Sequence, residues 1–317
     1  MGHPRQSPAV LFISVSDKRP LSRGRAILSH RPRGDYLLVV IQKTHDIKPR
    51  PSGATKGPRK LAVITGATSG IGRAFAERLA RDGYDLLVTG RRASVLRGLA
   101  AALAKETGAR VTTVIAELSN EKEVSALVRR IEKLERIDVL VSNAGYGSGL
   151  AFRQAPIDDH LKMVAVHVNA ALRLAHAVLP GMAARREGTI VIVASFAAFL
   201  PLPGSAVYCA TKAFLNSLAE SIAIEVGGLG IMVQSLCPGL VRTDFHGRTK
   251  RWANRASESR DRGIIRWMSA EQVVDRSFKD LARGRILCIP GFWNRVGFIA
   301  VKLIPRKLYV RIVGRYK

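Results

Sequence analysis

Between residues 61 and 289, short apolar runs alternate with longer segments whose apolar positions recur every three to four residues. The short runs are rich in Val, Ile and Leu, which is typical of strands buried on both faces of a parallel sheet. The longer segments have the periodicity of helices. The predicted strands are Leu61–Thr65, Asp85–Thr89, Arg110–Ala116, Asp138–Ser142, Thr189–Ala194, Ile231–Leu236 and Ile286–Ile289. The predicted helices are Gly72–Asp82, Ala93–Thr107, Glu121–Leu134, Asp158–Ala184 and Tyr208–Val226. This alternation predicts an α/β fold: a doubly wound parallel sheet of about seven strands with helices on both faces.

The two ends of the chain lack this alternation. Residues 1–58 are rich in Pro, Arg, Ser and His and carry no sustained period, apart from a short strand predicted at Leu37–Ile41. The Pro-, Gly- and Lys-containing run Lys48–Pro58 is typical of a linker. We therefore predict a basic, disordered leader and linker over residues 1–58, the α/β domain over residues 59–290, and a basic amphipathic extension over residues 291–317.

The chain is strongly basic, and its excess charge lies partly at the ends. It has 51 Lys and Arg against 24 Asp and Glu, a net charge of +27. Residues 1–60 hold thirteen basic residues against three Asp, and residues 281–317 hold nine basic residues and no acidic one. Such a charge balance is typical of proteins that bind nucleic acid or an anionic membrane. The sequence has no helix-turn-helix, zinc or RNA-binding signature, so we expect no nucleic-acid partner.

Cysteine usage and hydropathy bear on the compartment. The three cysteines are scattered, odd in number and without metal-ligand spacing, which indicates a reducing compartment and no metal. No run reaches the roughly 18 uninterrupted apolar residues of a spanning helix. Leu11–Val15 is too short for the core of a signal peptide. We expect a cytoplasmic protein. An organelle transit peptide, an unstructured leader and a misplaced start codon all remain open for the N-terminus.

A glycine-rich loop lies between the first predicted strand and the first predicted helix. Its sequence, Thr65-Gly-Ala-Thr-Ser-Gly-Ile-Gly72, allows a tight turn and a close approach of the backbone to a pyrophosphate at the helix N-terminus. The spacing alone is also compatible with a tight turn that binds nothing. The strand before it and the helix after it favour a dinucleotide-binding loop. The expected contacts are Gly66, Thr68, Ser69, Gly70, Ile71 and Gly72.

The end of the second predicted strand bears on the choice of cofactor. Gly90 is followed by Arg91 and Arg92, with no carboxylate to accept a hydrogen bond from a ribose 2′-hydroxyl. A guanidinium binds phosphate with two parallel hydrogen bonds, so this end favours NADP(H) over NAD(H). Two arginines on a solvated loop are the alternative.

Three further residues predict proton chemistry. Tyr208 and Lys212 are four positions apart at the start of a predicted helix and therefore lie on one face. A nearby ammonium favours the phenolate and lowers the pKa of a tyrosine from its usual value of about 10. Ser195 directly follows a predicted strand, at the sheet edge where ligands bind. Alone, a Tyr-x-x-x-Lys pair is usually a surface pair and a strand-end serine is usually a cap.

Together, these motifs resemble the short-chain dehydrogenase/reductase family. The resemblance runs from residue 60 to about residue 245 and rests on the order and spacing of the motifs. The matching residues are Thr65–Gly72, Asn143-Ala-Gly145, Asn169, Ser195, Tyr208-x-x-x-Lys212 and Pro238-Gly239. The resemblance implies a Rossmann fold, a homo-oligomer, and an oxidoreductase that interconverts a carbonyl group and a secondary alcohol.

The resemblance also implies roles for individual residues. Tyr208 would be the general acid of carbonyl reduction, and Lys212 would lower the pKa of Tyr208 and hold the nicotinamide ribose. Ser195 would hydrogen-bond the substrate oxygen. Asn169 would anchor a water of the proton relay. The remaining cofactor contacts would come from Asn143, Ala144, Gly145, Pro238, Gly239 and Thr243.

Two positions depart from the family pattern. Ser142-Asn143 stands where a pair of asparagines is usual. The third strand leads to Glu117-Leu118, where the family has an Asp beside the adenine ring. We expect Glu117 and Leu118 at the cofactor, but the longer carboxylate leaves the adenine contact open.

The substrate is expected to be hydrophobic. Thr89-Gly-Arg91 and the basic tail are similar to reductases grouped as DltE-like proteins and long-chain 3-oxoacyl-CoA reductases. Residues 243–269 hold several aromatic and basic side chains, among them Phe245, Trp252 and Trp267, and would cover a substrate with an apolar chain and an anionic group, such as an acyl-CoA or acyl carrier protein. A solvated basic loop is the alternative. A 3-oxoacyl thioester, a steroid-like ketone or another lipophilic ketone would fit.

Two alternatives therefore stay open. The first hypothesis is an NADPH-dependent carbonyl reductase, and the second is a catalytically idle protein on the same fold that binds NADP, nucleic acid or membrane. Residues 292–314 mix aromatic, aliphatic and basic residues around Pro305. This segment would form either a peripheral contact with an anionic membrane or a helix packed on the body or on a partner subunit.

Overall fold

The computed structural model describes residues 26–30, 36–40, 59–147, 149–243 and 267–314. The chain divides into two compact units, Met1–Asp46 and Ile47–Lys317. In the first unit, strand β1 (Ala26–His30) pairs antiparallel with β2 (Tyr36–Val40). Strand β2 was predicted one residue further along the chain, and β1 was not predicted.

The second unit contains a parallel sheet of seven strands. The strands, in chain order, are β3 (Leu61–Thr65), β4 (Asp85–Gly90), β5 (Val111–Ile115), β6 (Val139–Ser142), β7 (Gly188–Val193), β8 (Ile231–Leu236) and β9 (Leu287–Cys288). Their order across the sheet is β5-β4-β3-β6-β7-β8-β9, and every neighbouring pair is parallel. The predicted fold class is confirmed, because this is a doubly wound sheet that reverses direction between β3 and β6. The carboxyl ends of these two strands form the crevice where such sheets bind ligands.

Helices cover both faces of the sheet. The helices among the described residues are α1 (Gly70–Arg81), α2 (Ala93–Thr107), α3 (Glu121–Glu132), α4 (Ile157–Val164), α5 (Ala170–Arg185), α6 (Ala206–Glu225), α7 (Ala270–Leu281), α8 (Phe292–Leu303) and α9 (Arg306–Gly314). Local signals set several ends. Asn120 caps α3 by accepting from the N–H groups of Lys122 and Glu123, and Gly108 ends α2 in the left-handed conformation with φ of 67°.

The alternating strand residues build two cores. On β3, Ala62 and Ile64 face a cluster that includes Phe75 and Leu79 of α1. Val63 faces the opposite cluster with residues of α3, α5 and α6. All five of these named side chains are fully buried. Two separate apolar layers therefore hold the sheet rigid behind the crevice.

The segment predicted as one long helix, Asp158–Ala184, is interrupted. A π-helical turn at Ala165–Asn169 separates α4 from α5. Such turns insert an extra residue into a helix and often occur at functional sites. By length and composition, the stretch Ile157–Arg185 is also apolar enough to cross a membrane, which the sequence analysis did not expect. It packs on the sheet instead, with Leu174 and Met182 fully buried, as a core helix does.

Candidate active site

A cleft of about 640 Å³ opens at the carboxyl ends of the strands. Predicted cofactor residues line it from every expected segment of the chain. These lining residues are Gly66, Thr68, Ser69, Gly70, Ile71, Arg91, Arg92, Glu117, Leu118, Asn143, Ala144, Gly145, Tyr208, Lys212, Pro238, Gly239 and Thr243. Gly72 lies beneath the loop rather than on the cleft wall.

The glycine loop is tightly packed against the end of β6. Gly66 has φ of +67°, and a Cβ added to it would lie 2.9 Å from the Cα of Ala144. A Cβ at Gly72 would lie 2.4 Å from both Asn143 Nδ2 and the Gly66 oxygen. Asn143 Nδ2 donates to the carbonyl oxygens of Thr65 and Gly66, at 2.9 and 3.3 Å. The Asn143 side chain therefore fixes the loop shape, and only glycine fits at these two positions.

The N-terminus of α1 suits an anion. Ser69 at the N-cap position makes no side-chain capping hydrogen bond within the described residues, and the first turn carries no acidic residue. Ser69, Gly70 and Ile71 line the cleft at this point. Backbone N–H groups and the positive end of the helix dipole thus face a space bounded by glycine. The residues present fit the pyrophosphate of a dinucleotide.

The two arginines after β4 are held differently. Arg91 Nη1 donates to Glu117 Oε2 at 2.9 Å. Arg92 Nη2 donates to the backbone oxygen and to Oγ1 of Thr68, at 3.2 and 3.0 Å. Burial alone would raise the pKa of Glu117, but hydrogen bonds from Ser119 and Arg91 outweigh it and hold that pKa below its usual value. Glu117 is therefore ionised and competes with any phosphate for Arg91.

Ser195, Tyr208 and Lys212 come together at the floor of the cleft. Ser195 follows β7 and its Oγ accepts from the N–H of Ala197 at 3.1 Å, which starts a short 3₁₀ turn at Phe196–Phe199. Tyr208 and Lys212 lie in the first two turns of α6. Lys212 is only 4% exposed, and its Nζ donates to the backbone oxygen of Val193 at 2.8 Å.

Burial governs the titration of this set. Burial raises the pKa of Tyr208 to about 12, and a side-chain hydrogen bond with Ser195 only partly offsets this. Burial also lowers the pKa of Lys212 to about 8. The Lys212 Nζ lies 5.8 Å from the centre of the Tyr208 ring. Desolvation of the phenolate is the largest cause of this raised pKa, and the lowering of the Tyr208 pKa by Lys212 stays a prediction.

His167 occupies the place expected for Asn169. The His167 side chain is buried in the π turn, 1% exposed, and its ring lies edge-on to Tyr208 with 5.9 Å between ring centres. Its Nε2 accepts from the N–H of Tyr146 at 3.0 Å. A Cβ added to Gly145 would lie 3.0 Å from the same nitrogen, so the buried ring leaves little room for a side chain there.

Asn169 does not reach the cleft. It is exposed at the end of the π turn, two residues past His167 and therefore on the opposite side of the helix. The structure thus places His167, and not Asn169, beside Tyr208, and the proton-relay role of Asn169 stays a prediction. The apolar phase of the helix carries the signal, because buried Met163, Val166, Ala170 and Leu174 share one face with His167 and not with Asn169.

Helix α8 forms a wall of the cleft that no sequence motif indicated. Trp293, Asn294 and Gly297 line the cleft. A Cβ at Gly239 would lie 2.6 Å from Asn294 Oδ1, so the helix rests directly on the Pro238-Gly239 turn. Of the predicted cover at 243–269, Phe245 and Trp252 lie outside the described residues. The described part of the chain holds no cluster of His, Cys, Asp and Glu that would bind a metal.

Comparison with known proteins identifies the family. A profile of the short chain dehydrogenase family matches residues 60–254. The chain belongs to the short-chain dehydrogenase family. The motif resemblance seen in the sequence is thereby confirmed. The finer similarity to DltE-like and 3-oxoacyl-CoA reductases stays a prediction.

Solved structures of relatives hold either nicotinamide dinucleotide. A short-chain dehydrogenase from Sphingobium yanoikuyae in complex with NADPH is 30% identical, with a TM-score of 0.67 over 78% of this chain and 97% of that one. A short chain dehydrogenase/reductase from Burkholderia phymatum in complex with NAD is 26% identical, with a TM-score of 0.67 over 80% and 95%.

One curated relative bears a different description. The inactive hydroxysteroid dehydrogenase-like protein 1 of Rattus norvegicus is 35% identical over 205 residues. The match covers 64% of this chain and spans 62% of that protein's length. Membership of the family thus does not by itself establish turnover.

Proposed function

We propose that this protein is an NADPH-dependent reductase that converts a carbonyl group on a hydrophobic substrate into a secondary alcohol. The observation that carries the proposal is that Tyr208 and Ser195, which share a hydrogen bond, line one cleft together with Lys212. Burial raises the pKa of Tyr208, so its phenol stays protonated at neutral pH. It is therefore a proton donor in the state that reduction needs.

Each neighbour of Tyr208 has a separate task. Ser195 hydrogen-bonds Tyr208 and orients a substrate oxygen against it. Lys212, charged at neutral pH with a pKa of about 8, stabilises the negative charge that develops as the proton leaves Tyr208. His167 fixes the loop at Tyr146 against α6, the helix that carries Tyr208 and Lys212. The bound nicotinamide would supply the hydride.

The same chain segments would hold that dinucleotide. The glycine loop and the N-terminus of α1 suit its pyrophosphate, as argued above. Arg91 and Arg92 favour a 2′-phosphate, which supports NADPH as the preferred form. Glu117 opposes this by pairing with Arg91 at 2.9 Å. The preference is therefore set by two arginines and weakened by one carboxylate.

The substrate end of the cleft favours an apolar ketone. Phe196, Leu200, Leu202 and Trp293 line the cleft beyond Ser195. Burial of such side chains against an apolar ligand contributes about 25 cal/mol per Å² of area removed from water. A lipophilic ketone or an acyl thioester with a 3-oxo group is the substrate class that this wall would take.

The cysteines bear on the compartment in which the protein works. Cys209, Cys237 and Cys288 are free and buried. Unpaired thiols accord with a reducing compartment, so we propose a cytoplasmic protein. The homo-oligomer that the resemblance implies stays a prediction.

A catalytically idle dinucleotide-binding protein is the second candidate. The 35% identity to a relative described as inactive favours it. Both candidates predict binding of NADPH, but only the reductase consumes it. Purified protein is therefore incubated with NADPH and a panel of ketones, aldehydes and 3-oxoacyl thioesters, and absorbance at the nicotinamide band is followed. Acceleration by a carbonyl compound supports the reductase. Tight NADPH binding with no acceleration across the panel favours the idle protein.

A further inference from the structure

Helix α8 has two apolar faces that point in opposite directions. One face packs on the body: the Phe298 ring meets Phe199 with 4.6 Å between centres, and Asn294 rests on Gly239. A surface helix normally turns charged and polar residues outward opposite such a face. In α8 the outward face is apolar as well.

The outward face is a continuous stripe. Phe292, Val296, Ile299 and Leu303 follow one another at spacings of four, three and four residues, which places them on one side of the helix. Their exposed fractions are 63, 39, 57 and 77%. Soluble proteins commonly expose single apolar side chains, whereas a row of four large ones is typical of an interaction surface.

Helix α9 also carries exposed apolar side chains. Leu308 and Ile312 are one helical turn apart and are 47 and 45% exposed. Tyr309 on the neighbouring side donates its hydroxyl to the backbone oxygen of Pro201 at 2.8 Å, which fixes α9 to the body. We call the apolar stripe of α8, taken together with the apolar pair of α9, the tail surface. It consists of Phe292, Val296, Ile299, Leu303, Leu308 and Ile312.

The charge around the tail surface has one sign. Arg295 and Lys302 lie along one flank of the α8 stripe, and Arg306, Lys307 and Arg311 belong to α9. No acidic residue occurs between 281 and 317. Two copies of this surface would bring like charges together, which disfavours self-association through it. An apolar stripe flanked by basic side chains matches the boundary between anionic headgroups and acyl chains.

We propose that the tail surface docks on an anionic lipid membrane. The apolar stripe inserts at the acyl boundary and the basic flank contacts the headgroups. Because Trp293 and Gly297 of the same helix line the cleft, docking places the cleft about one helix diameter, roughly 10–12 Å, from the lipid. A membrane-borne ketone would then reach the site directly, a consequence that rests on the proposed function.

Vesicle sedimentation tests the docking without any turnover. The full chain is mixed with vesicles of phosphatidylcholine alone or with phosphatidylserine added. We expect sedimentation with the anionic vesicles only, and a partial loss in high salt because the electrostatic part is screened. Leu303→Asp should weaken binding at least about tenfold, since it removes an inserted side chain and adds an opposing charge.

A matched control separates insertion from a general loss of apolar surface. Ile224 lies in the last turn of helix α6 as Leu303 lies in the last turn of α8, and their exposed fractions are 78 and 77%. Ile224→Asp should therefore bind anionic vesicles like the parent. Tyr208→Phe should also bind like the parent, so a failure of docking and a failure of the reductase are told apart.

Several outcomes would overturn the proposal. One is equal sedimentation with neutral and anionic vesicles, and another is none with either. A third is that Leu303→Asp leaves vesicle binding intact but reduces the oligomeric state in light scattering, which would make the tail surface a contact between copies. Melting temperatures of both Asp variants close to the parent ensure that a loss of binding is not a loss of fold.

Discussion

His167 and Thr211 share a hydrogen bond, with 2.9 Å between Nδ1 and Oγ1. Thr211 Oγ1 donates onward to the backbone oxygen of Tyr208 at 2.9 Å. Because Nε2 of His167 accepts from the N–H of Tyr146, the imidazole proton must sit on Nδ1. Burial, and then the charge of Lys212, lower the pKa of His167 well below its usual value, so the ring stays neutral. His167 is thus a fixed bridge between the loop after β6 and helix α6.

Two replacements of His167 should separate the effects of its hydrogen bonds to Tyr146 and Thr211. His167→Ala loses both and leaves the Tyr146 N–H unpaired, at a cost of about 1–3 kcal/mol. His167→Gln places a side-chain oxygen near the Nε2 position and keeps the acceptor for Tyr146. We expect the KM for NADPH to recover in the Gln variant while kcat stays low, because the link to α6 is still broken. Steady-state kinetics and melting temperatures measure both effects.

Asn169→Ala is the control for that series. Its side chain is exposed and outside the cleft, so kcat, KM and melting temperature should match the parent. A loss of turnover in Asn169→Ala beside a parent-like His167→Ala would restore Asn169 to the proton relay and refute the bridge.

Cofactor preference should respond to the Arg91–Glu117 ion pair. Glu117→Gln removes the carboxylate that holds Arg91 and frees the guanidinium for a 2′-phosphate. We expect NADPH to bind more tightly and NADH to be nearly unchanged. Arg91→Asp should cost about tenfold or more in NADPH affinity, about 1.4 kcal/mol. Titration of cofactor fluorescence gives the dissociation constants of NADPH and NADH for the parent and both variants. Equal affinities for NADPH and NADH in the parent, unmoved by either change, would contradict the assignment.

Lys212 should set the alkaline limit of reduction. Its pKa is lowered to about 8, so the ammonium loses its proton as the pH rises through that value. Tyr208, with a pKa of about 12, keeps its proton over the same range. We expect kcat/KM for carbonyl reduction to be flat near neutrality and to fall above about pH 8. Lys212→Arg keeps the charge and should remove this break from whatever activity remains. A break at the same pH in both proteins would assign it to another group.

The sheet could be predicted because each of its buried strands is a short run rich in Val, Ile and Leu, which the sequence shows directly. Leu61–Thr65 and Ile231–Leu236 are predicted and observed with the same ends. Helix ends are less well determined: α1 begins at Gly70 rather than Gly72 because the glycine loop leads directly into its first turn. The apolar period of Asp158–Ala184 was continuous and gave no sign of the π turn. One inserted residue interrupts the helix without changing its composition.

The features of the site that could not be predicted depend on contacts between distant parts of the chain. Asn294 meets Gly239 across the cleft, and no local pattern connects these two positions. The raised pKa of Tyr208 likewise depends on the apolar surroundings that the fold assembles, whereas the sequence showed only its neighbour Lys212. Motif spacing identified the chemistry, and packing determined the protonation states.

The phenol of Tyr208 is the centre of this account, and Tyr208→Phe removes its hydroxyl while leaving the ring. Turnover of NADPH is measured at a saturating concentration of the best carbonyl substrate, and the dissociation constant of NADPH is measured on the same preparation. We predict an essentially unchanged dissociation constant and a kcat lower by at least about a hundredfold, because the proton donor is gone. A Tyr208→Phe protein that reduces the carbonyl at near-parental rate would contradict the assignment of Tyr208 as the acid.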